Sequence, residues 1–257
     1  MKQWESRFHI GQVGISEVSL GDVLAAIDDR VRDRKPAYIC VANVRTTVLS
    51  QKDAGFCAIQ NSSFLTIPDG MPLVWFARLA GYGRVERVTG PDLMSTLLEM
   101  SGAKGYRHYF YGDNEETLKK MLGVVRMKYP QAAVAGVFSP PFRELSTDEI
   151  AQSAKTINEL KPTFVWIALG APKQERLIAE MMHYIDEAII VGVGAAFRFM
   201  IGEYRHPHPM VQKMGLEGVY WRFAKNPLRE AKWYLHHIPA FGLLMMRMLI
   251  KRIAGKL

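Results

Sequence analysis

The sequence has little cysteine and no apolar run long enough to cross a membrane. Cys40 and Cys57 are its two cysteines in 257 residues, too few for a disulfide framework or a zinc site, so we expect a reducing compartment. The first ten residues, MKQWESRFHI, lack the apolar core of a signal peptide, so we expect no export. The apolar run at 238–246 is far short of the roughly 20 residues that span a bilayer.

Several catalytic and cofactor signatures are also missing. No Ser/His/Asp or Cys/His set indicates nucleophilic catalysis, and no pair of carboxylates of the DxD type indicates a divalent ion. GVGAAF (192–197) has Phe197 where a dinucleotide fingerprint has its third glycine, and it follows the last predicted strand instead of the first. His206 and His208 alternate with prolines and have no third ligand nearby. We therefore predict neither a cofactor nor a metal site.

What the sequence does have is a basic C-terminal segment. Residues 198–257 carry eleven Lys/Arg and three Asp/Glu, whereas the first 197 residues carry 22 basic and 22 acidic side chains. The whole excess of +8 therefore lies in the C-terminal segment. Such a segment attracts polyanions, which include nucleic acid, anionic lipid headgroups and phosphorylated ligands.

Apolar runs of strand length recur along the first 194 residues. They lie at 37–43, 64–69, 108–112, 132–138, 163–169 and 188–194. Because they hardly alternate with polar residues, they are typical of strands buried on both faces. Segments with helical periodicity separate them, so we predict an α/β fold: a Rossmann-like, mainly parallel sheet with helices on both faces.

Helix start signals support this alternation. Capping boxes are predicted for Ser19 with Asp22, Asp113 with Glu116, and Ser146 with Glu149, and Pro72 and Pro172 suit first helical turns.

Polar residues and glycines collect where the predicted strands end. They include Asn43, Asp69, Gly112-Asp113, Ser139-Pro140-Pro141-Phe142, Gly170 and Gly194. Parallel sheets of this class bind ligands beyond the carboxyl ends of their strands. This edge, which we call the rim, is therefore the predicted site.

Two interpretations are open for Asp69 in FLTIPDGMP (64–72). Pro-Asp-Gly is typical of a tight turn, in which the glycine takes positive φ. Alternatively, Asp69 is a carboxylate held at the rim for chemistry. The polar residues and glycines at the other strand ends favour the second interpretation.

LGAPKQE (169–175) runs from a strand into a helix. The backbone amides at the helix start and Lys173 suit a phosphate, and Gln174 suits a sugar hydroxyl or a base edge. Lys, Gln and Glu are equally good solvent-facing helix formers, so both interpretations stand. Arg87 suits a diphosphate, although a lone arginine is also an ordinary surface charge.

The basic segment predicts a membrane-associating helix. Residues 219–235 interleave aromatic and basic side chains, and Leu243, Met246, Ile250, Ile253 and Leu257 form one apolar stripe, with Arg247 and Lys251 elsewhere around the helix. This pattern is typical of a basic amphipathic helix lying on a membrane. A core-docked helix or a helix pair, and hence a homo-oligomer, is the alternative. We predict a catalytic domain at 1–197 and a basic appendage at 198–257.

In order, the rim motifs PDG, RVTGPDL, SPPF, LGAPKQE and GVGAAF, with a basic YWR…NP…R tail, resemble the WecG/TagA/CpsF family of bacterial glycosyltransferases. The resemblance runs from about residue 10 to residue 235. It implies inverting, metal-independent transfer from a UDP-sugar to a polyprenyl-diphosphate-linked sugar, in surface polysaccharide or cell-wall polymer synthesis. It also implies a peripheral protein at the cytoplasmic face of the plasma membrane, with no nucleic acid as partner.

Residue roles carried over from the family fall on matching positions. They are Asp69 as general base; Asn43, Arg87 and Gln174 in the donor site, to which our interpretation adds Gly170, Lys173 and Gly194; and Arg222, Arg229 and Lys232 as ligands of the lipid diphosphate.

Two departures concern the donor. Val41 stands where the family often has threonine, and Arg198 where it often has an acidic residue. An added cation there favours a uronic acid as one hypothesis. Two other classes of function remain as alternatives: a non-catalytic nucleotide-sugar- or RNA-binding α/β protein, and a membrane scaffold of a polysaccharide assembly complex.

Overall fold

The computed structural model describes residues 3–204 and 227–253. The strands are β1 Arg7–Ile10, β2 Val13–Ser16, β3 Ala37–Ala42, β4 Leu65–Pro68, β5 Arg107–Gly112, β6 Ala133–Phe138, β7 Phe164–Ala168 and β8 Ile189–Gly192. The helices are α1 Leu20–Arg32, α2 Val44–Ser50, α3 Ala54–Ser62, α4 Met71–Leu79, α5 Gly90–Lys104, α6 Glu115–Lys128, α7 Thr147–Leu160, α8 Lys173–Met181, α9 Ala196–Met200 and α10 Pro227–Ile253.

The main sheet has the strand order β4-β3-β8-β7-β5-β6, and all its neighbouring strands are parallel. The six strands predicted from apolar runs are confirmed, each within two residues at either end. Because every strand points the same way, their carboxyl ends meet at one rim.

Helices cover both faces of this sheet, as predicted. β7 shows why its sequence does not alternate: Phe164 and Trp166 belong to the core on one face, and Val165 and Ile167 to the core on the other. α1, α5, α6 and α9 supply the first core, and α7 and α8 the second. On a strand buried on both sides, successive side chains enter opposite cores, so apolar residues do not alternate with polar ones.

The predicted helix starts are confirmed at two of three capping boxes. Ser19 and Ser146 cap α1 and α7 in reciprocal capping boxes. The prediction for Asp113 is wrong: Asn114 caps α6 and accepts the Thr117 N–H. The reason is that the Asp113 carboxylate is bound elsewhere, by Arg198.

A hairpin formed by β1 and β2 precedes the sheet and was not predicted, because its strands have only four residues each. Gly11 takes φ +64° between them. The Arg7 guanidinium donates to the carbonyls of Gln60 and Asn61 at the end of α3. A cation suits the negative end of a helix, so Arg7 fastens the hairpin to the domain.

Helix α10 packs against α2 and β1 with one of its faces. Phe241 and Met248 are buried there, in one apolar cluster with Phe8, Ile10 and Val48. The core-docked alternative is therefore correct for this face, although it is not the face that the sequence pattern singled out. Among the described residues, no helix combines the length and apolar content needed to cross a membrane.

A buried histidine joins the sheet to α5. His108 of β5 accepts a hydrogen bond at Nδ1 from Trp166 Nε1, at 2.9 Å. Its Nε2 lies 2.6 Å from the Ser101 hydroxyl, which itself donates to the Leu97 carbonyl. Nε2 therefore carries the proton and the imidazole is neutral. Burial lowers the pKa of His108 from 6.5 to about 4.

This shift predicts a pH-dependent stability. The unfolded chain binds a proton near pH 6.5 and the folded chain only near 4, so stability is complete above 6.5 and falls as the pH drops through that window. We expect the free energy of unfolding to be about 2 kcal/mol smaller at pH 5 than at pH 7.5 from this group. His108→Gln, which cannot titrate, should lose that part of the pH dependence in urea denaturation. An identical pH dependence in both proteins would contradict this role.

Candidate active site

The rim brings Asn43 and Asp69 side by side. β3 and β4 pair in parallel with Ala42 opposite Pro68, so the residues after them are neighbours. The Asp69 N–H donates to the Ala42 carbonyl at 2.8 Å, which continues the pairing by one residue. A Cβ added to Gly70 would lie 3.9 Å from the Cα of Asn43.

Asp69 occupies a junction between strand and helix, not a tight turn. β4 ends at Pro68 and α4 begins at Met71 with Gly70 as its N-cap. Gly70 has φ −110°, so it does not take the positive φ that the turn interpretation requires. Asp69 itself is half-buried.

Arg87 reaches the same point from a distant part of the sequence. Its Nε donates to the Asp69 carbonyl at 3.1 Å, while the neighbouring Val88 N–H donates to the Pro68 carbonyl at 2.9 Å. Arg87 is half-buried. Three predicted site residues, Asn43, Asp69 and Arg87, are therefore assembled at the ends of β3 and β4.

Asn43 is held by its role as the N-cap of α2. Its Oδ1 accepts the N–H groups of Arg45 and Thr46, at 3.0 and 3.2 Å, and the Thr46 hydroxyl accepts the Asn43 N–H. Because the cap fixes both backbone and side chain, Asn43 has a defined orientation at the rim.

A second group lies at the ends of β7 and β8. Gln174 is 3% exposed, and its Oε1 accepts the N–H groups of Gly170 and Gly194 at 3.0 and 3.1 Å. Its Nε2 donates to Glu175 Oε1 at 2.9 Å. The solvent-facing interpretation of this segment is therefore wrong for Gln174, whose amide ties the two glycine turns together.

Lys173, in contrast, is exposed. Its Nζ lies 5.5 Å from the centre of the Phe142 ring, and that ring is fully exposed on the loop after β6. Lys173 therefore stands at the mouth of the rim, between the loops that follow β6 and β7.

Arg198 does not present a free charge to the rim. It donates through Nε and an Nη nitrogen to both carboxylate oxygens of Asp113, at 2.8 and 2.7 Å, and it pairs with Glu203 at 3.2 Å. These carboxylates raise the pKa of Arg198, with the hydrogen bond to Asp113 as the main cause. Since they also neutralise its charge, Arg198 gives no support to the hypothesis of a uronic acid donor.

A cavity of about 190 Å³ lies between the start of α5, the end of α6 and α9. Pro91, Met94, Tyr129 and Phe199 are among its lining residues, and Asp69 is not. The assembled polar residues thus lie apart from this cavity, along the open rim. Within residues 3–204 and 227–253, no three His, Cys, Asp or Glu side chains are grouped as metal ligands.

The structure describes the side chains of only some of the site residues predicted in the C-terminal segment. Arg222 lies outside the described residues, as do His206 and His208. Arg229, Lys232, Lys251 and Ile253 belong to α10, where only their backbone is described. Leu243, Met246, Arg247 and Ile250 are exposed, on the side of α10 that does not dock.

Sequence reasoning did not identify Glu175 as a buried residue. It is 2% exposed, and burial raises the pKa of its carboxyl group. The signal lies in the helical spacing: Ile178 and Met181 mark the buried face of α8, and positions three to four residues before them share that face. Gly90 was also not identified as a position of close backbone approach. A Cβ there would lie 3.3 Å from the Val193 backbone.

Comparison with known proteins gives a consistent result. A family model described as Glycosyl transferase WecG/TagA/CpsF family matches residues 8–255. The chain is 26% identical over 211 residues to an N-acetylglucosaminyldiphosphoundecaprenol N-acetyl-beta-D-mannosaminyltransferase of Bacillus subtilis (strain 168), covering 82% of this chain and 79% of the relative. It is 27% identical over 224 residues to a protein of the same name from Bacillus spizizenii (strain W23), covering 86% and 84%.

Proposed function

The chain belongs to the WecG/TagA/CpsF family of glycosyl transferases, and on that premise we propose that it transfers a sugar from a UDP-sugar to a polyprenyl-diphosphate-linked sugar. We further propose that transfer inverts the anomeric centre and needs no metal ion. The observation that carries this proposal is the assembly of Asp69, Asn43 and Arg87 at the ends of β3 and β4.

The names of the relatives indicate the substrates to test first. Both are named for moving N-acetylmannosamine to N-acetylglucosaminyldiphosphoundecaprenol. We take the same acceptor class for this chain, and N-acetylmannosamine as the first donor sugar. The product would be a lipid-linked intermediate of a surface polysaccharide or cell-wall polymer, made at the cytoplasmic face of the membrane.

In the proposed reaction, Asp69 is the general base. The acceptor hydroxyl oxygen bonds to the anomeric carbon of the donor while the bond from that carbon to the UDP oxygen breaks. The hydroxyl proton passes to the Asp69 carboxylate, and UDP leaves with the electrons of the broken bond. A single positioned carboxylate is what a one-step displacement needs.

The same scheme assigns the remaining residues to the two diphosphates. The donor side is formed by Asn43, Arg87, Gly170, Lys173, Gln174 and Gly194. The cationic side chains of Arg87 and Lys173 stabilise the leaving UDP, while Gln174 holds the two glycine turns. Arg222, Arg229 and Lys232 hold the lipid diphosphate, since guanidinium and ammonium groups donate charge-assisted hydrogen bonds to phosphate oxygens. In this scheme the appendage at 198–257 completes the site of the catalytic domain at 1–197.

The outer face of α10 supports a membrane role. Leu243, Met246 and Ile250 are 44%, 52% and 58% exposed at spacings of three and four, so they form one apolar stripe. Exposed Arg247 lies beside it, where it suits an anionic headgroup. We propose that this stripe rests on the bilayer while Phe241 and Met248 hold the helix to the domain.

Asp69→Asn tests the chemistry. We expect transfer to fall by about 10²- to 10⁴-fold, because the amide cannot accept the proton, while UDP affinity stays within about twofold. UDP release and calorimetry with UDP measure the two effects. Asp33→Asn is the matched control, since Asp33 is exposed before β3 at the opposite edge of the sheet. Near-normal turnover of Asp69→Asn would remove Asp69 from the mechanism.

A triple substitution to glutamine at Leu243, Met246 and Ile250 tests the membrane stripe. We expect at least about tenfold weaker binding to vesicles containing anionic lipid, because three apolar side chains no longer enter the interface. Substitution is preferable to deletion of 236–257, which would also remove Phe241 and Met248 from the core.

Sedimentation with vesicles measures this binding. Met127→Gln, a change at an even more exposed apolar position on α6, serves as the control and should bind like the wild type. Unchanged sedimentation of the triple variant would show that this face of α10 does not carry the attachment.

A further inference from the structure

The two glycine turns of the rim share one side-chain oxygen. Gly170 and Gly194 have φ of +78° and +56°, and both donate their N–H groups to Gln174 Oε1. A Cβ added to either glycine would meet no atom within 4 Å. Each turn therefore faces open space on the side where a Cβ would lie, while its N–H group is held by Gln174.

This arrangement requires one orientation of the Gln174 amide. If the amide were turned by half a rotation, its nitrogen would face two N–H donors and its oxygen would face the Glu175 carboxyl. In the observed orientation, the nitrogen donates to Glu175 Oε1 instead. The amide also lies against the strand, since a Cβ at Gly192 would be 2.9 Å from its nitrogen. The two glycine N–H groups and Glu175 thus favour the same orientation, and Glu175 is the side chain that accepts from the amide nitrogen.

Glu175 is an unusual residue for this position on a helix. It is 2% exposed, and among the described residues its Oε2 has no hydrogen-bond partner. A buried carboxyl group with one unsatisfied oxygen lowers stability relative to an apolar side chain of similar size. Packing alone would therefore favour leucine at this position. What the carboxyl group provides and leucine does not is an acceptor for the Gln174 amide.

We propose that Glu175 is a positioning residue for the donor site. It orients the Gln174 amide, and through that amide it keeps the turns at Gly170 and Gly194 in the conformation that binds the UDP-sugar. The identity of the ligand, a UDP-sugar, rests on the proposed function. The hydrogen bonds among Glu175, Gln174 and the two glycines do not.

Two substitutions of Glu175 distinguish its role in orienting the Gln174 amide from its role in packing. Glu175→Leu keeps the volume and removes the acceptor, whereas Glu175→Gln keeps an oxygen that can accept from Gln174 Nε2. For Glu175→Leu we expect amide hydrogen exchange at Gly170 and Gly194 to rise about tenfold, and the KM for the donor to rise about tenfold. The KM for the lipid acceptor should not change, and Glu175→Gln should restore both values to near wild type.

Glu180→Leu on the same helix, at a half-buried position, is the control and should change neither value. Wild-type exchange at the two glycines in Glu175→Leu would overturn the proposal, as would equal losses in Glu175→Leu and Glu175→Gln. A wild-type protein without transferase activity would refute the proposed function instead, and the exchange measurement would still test the role of Glu175.

Discussion

The hydrogen bond from the Asp69 N–H to the Ala42 carbonyl is the interaction on which the site depends. It carries the parallel register of β3 and β4 one residue past the end of β4, so that Asp69 follows the sheet before α4 begins. Arg87 then binds the Asp69 carbonyl, and the cap at Asn43 lies alongside. The backbone is thereby fixed on both sides of the residue whose side chain is proposed to take the proton.

Helix α10 has two apolar faces, one buried against the domain and one exposed. The buried face, with Phe241 and Met248, belongs to the core, while the stripe with Leu243, Met246 and Ile250 remains exposed. The choice between a core-docked and a membrane-bound helix is therefore not exclusive, because one helix has room for both contacts around its circumference. In the proposed membrane-bound state, such a helix would link the position of the domain to that of the bilayer.

Arg87 was assigned to the donor site by the family resemblance alone. From its own pattern, the sequence predicted the six strands of the main sheet and the position of Asn43 and Asp69 at the rim. Both follow from local signals: unbroken apolar runs, and polar residues at the points where those runs stop. The pair of Asp113 and Arg198 could not be predicted, because its partners are 85 residues apart in sequence. Glu175 was missed because its residue type favours solvent, and only the spacing of its apolar neighbours places it inside.

The proposed function is tested most directly by a transfer assay with UDP-N-acetylmannosamine and detergent-dispersed polyprenyl-diphosphate-N-acetylglucosamine, with a metal chelator present. The proposed reaction predicts release of UDP and a lipid product heavier by one sugar, whose anomeric configuration is opposite to that of the donor. Retention of configuration, loss of turnover on addition of the chelator, or no product with any UDP-sugar would contradict it.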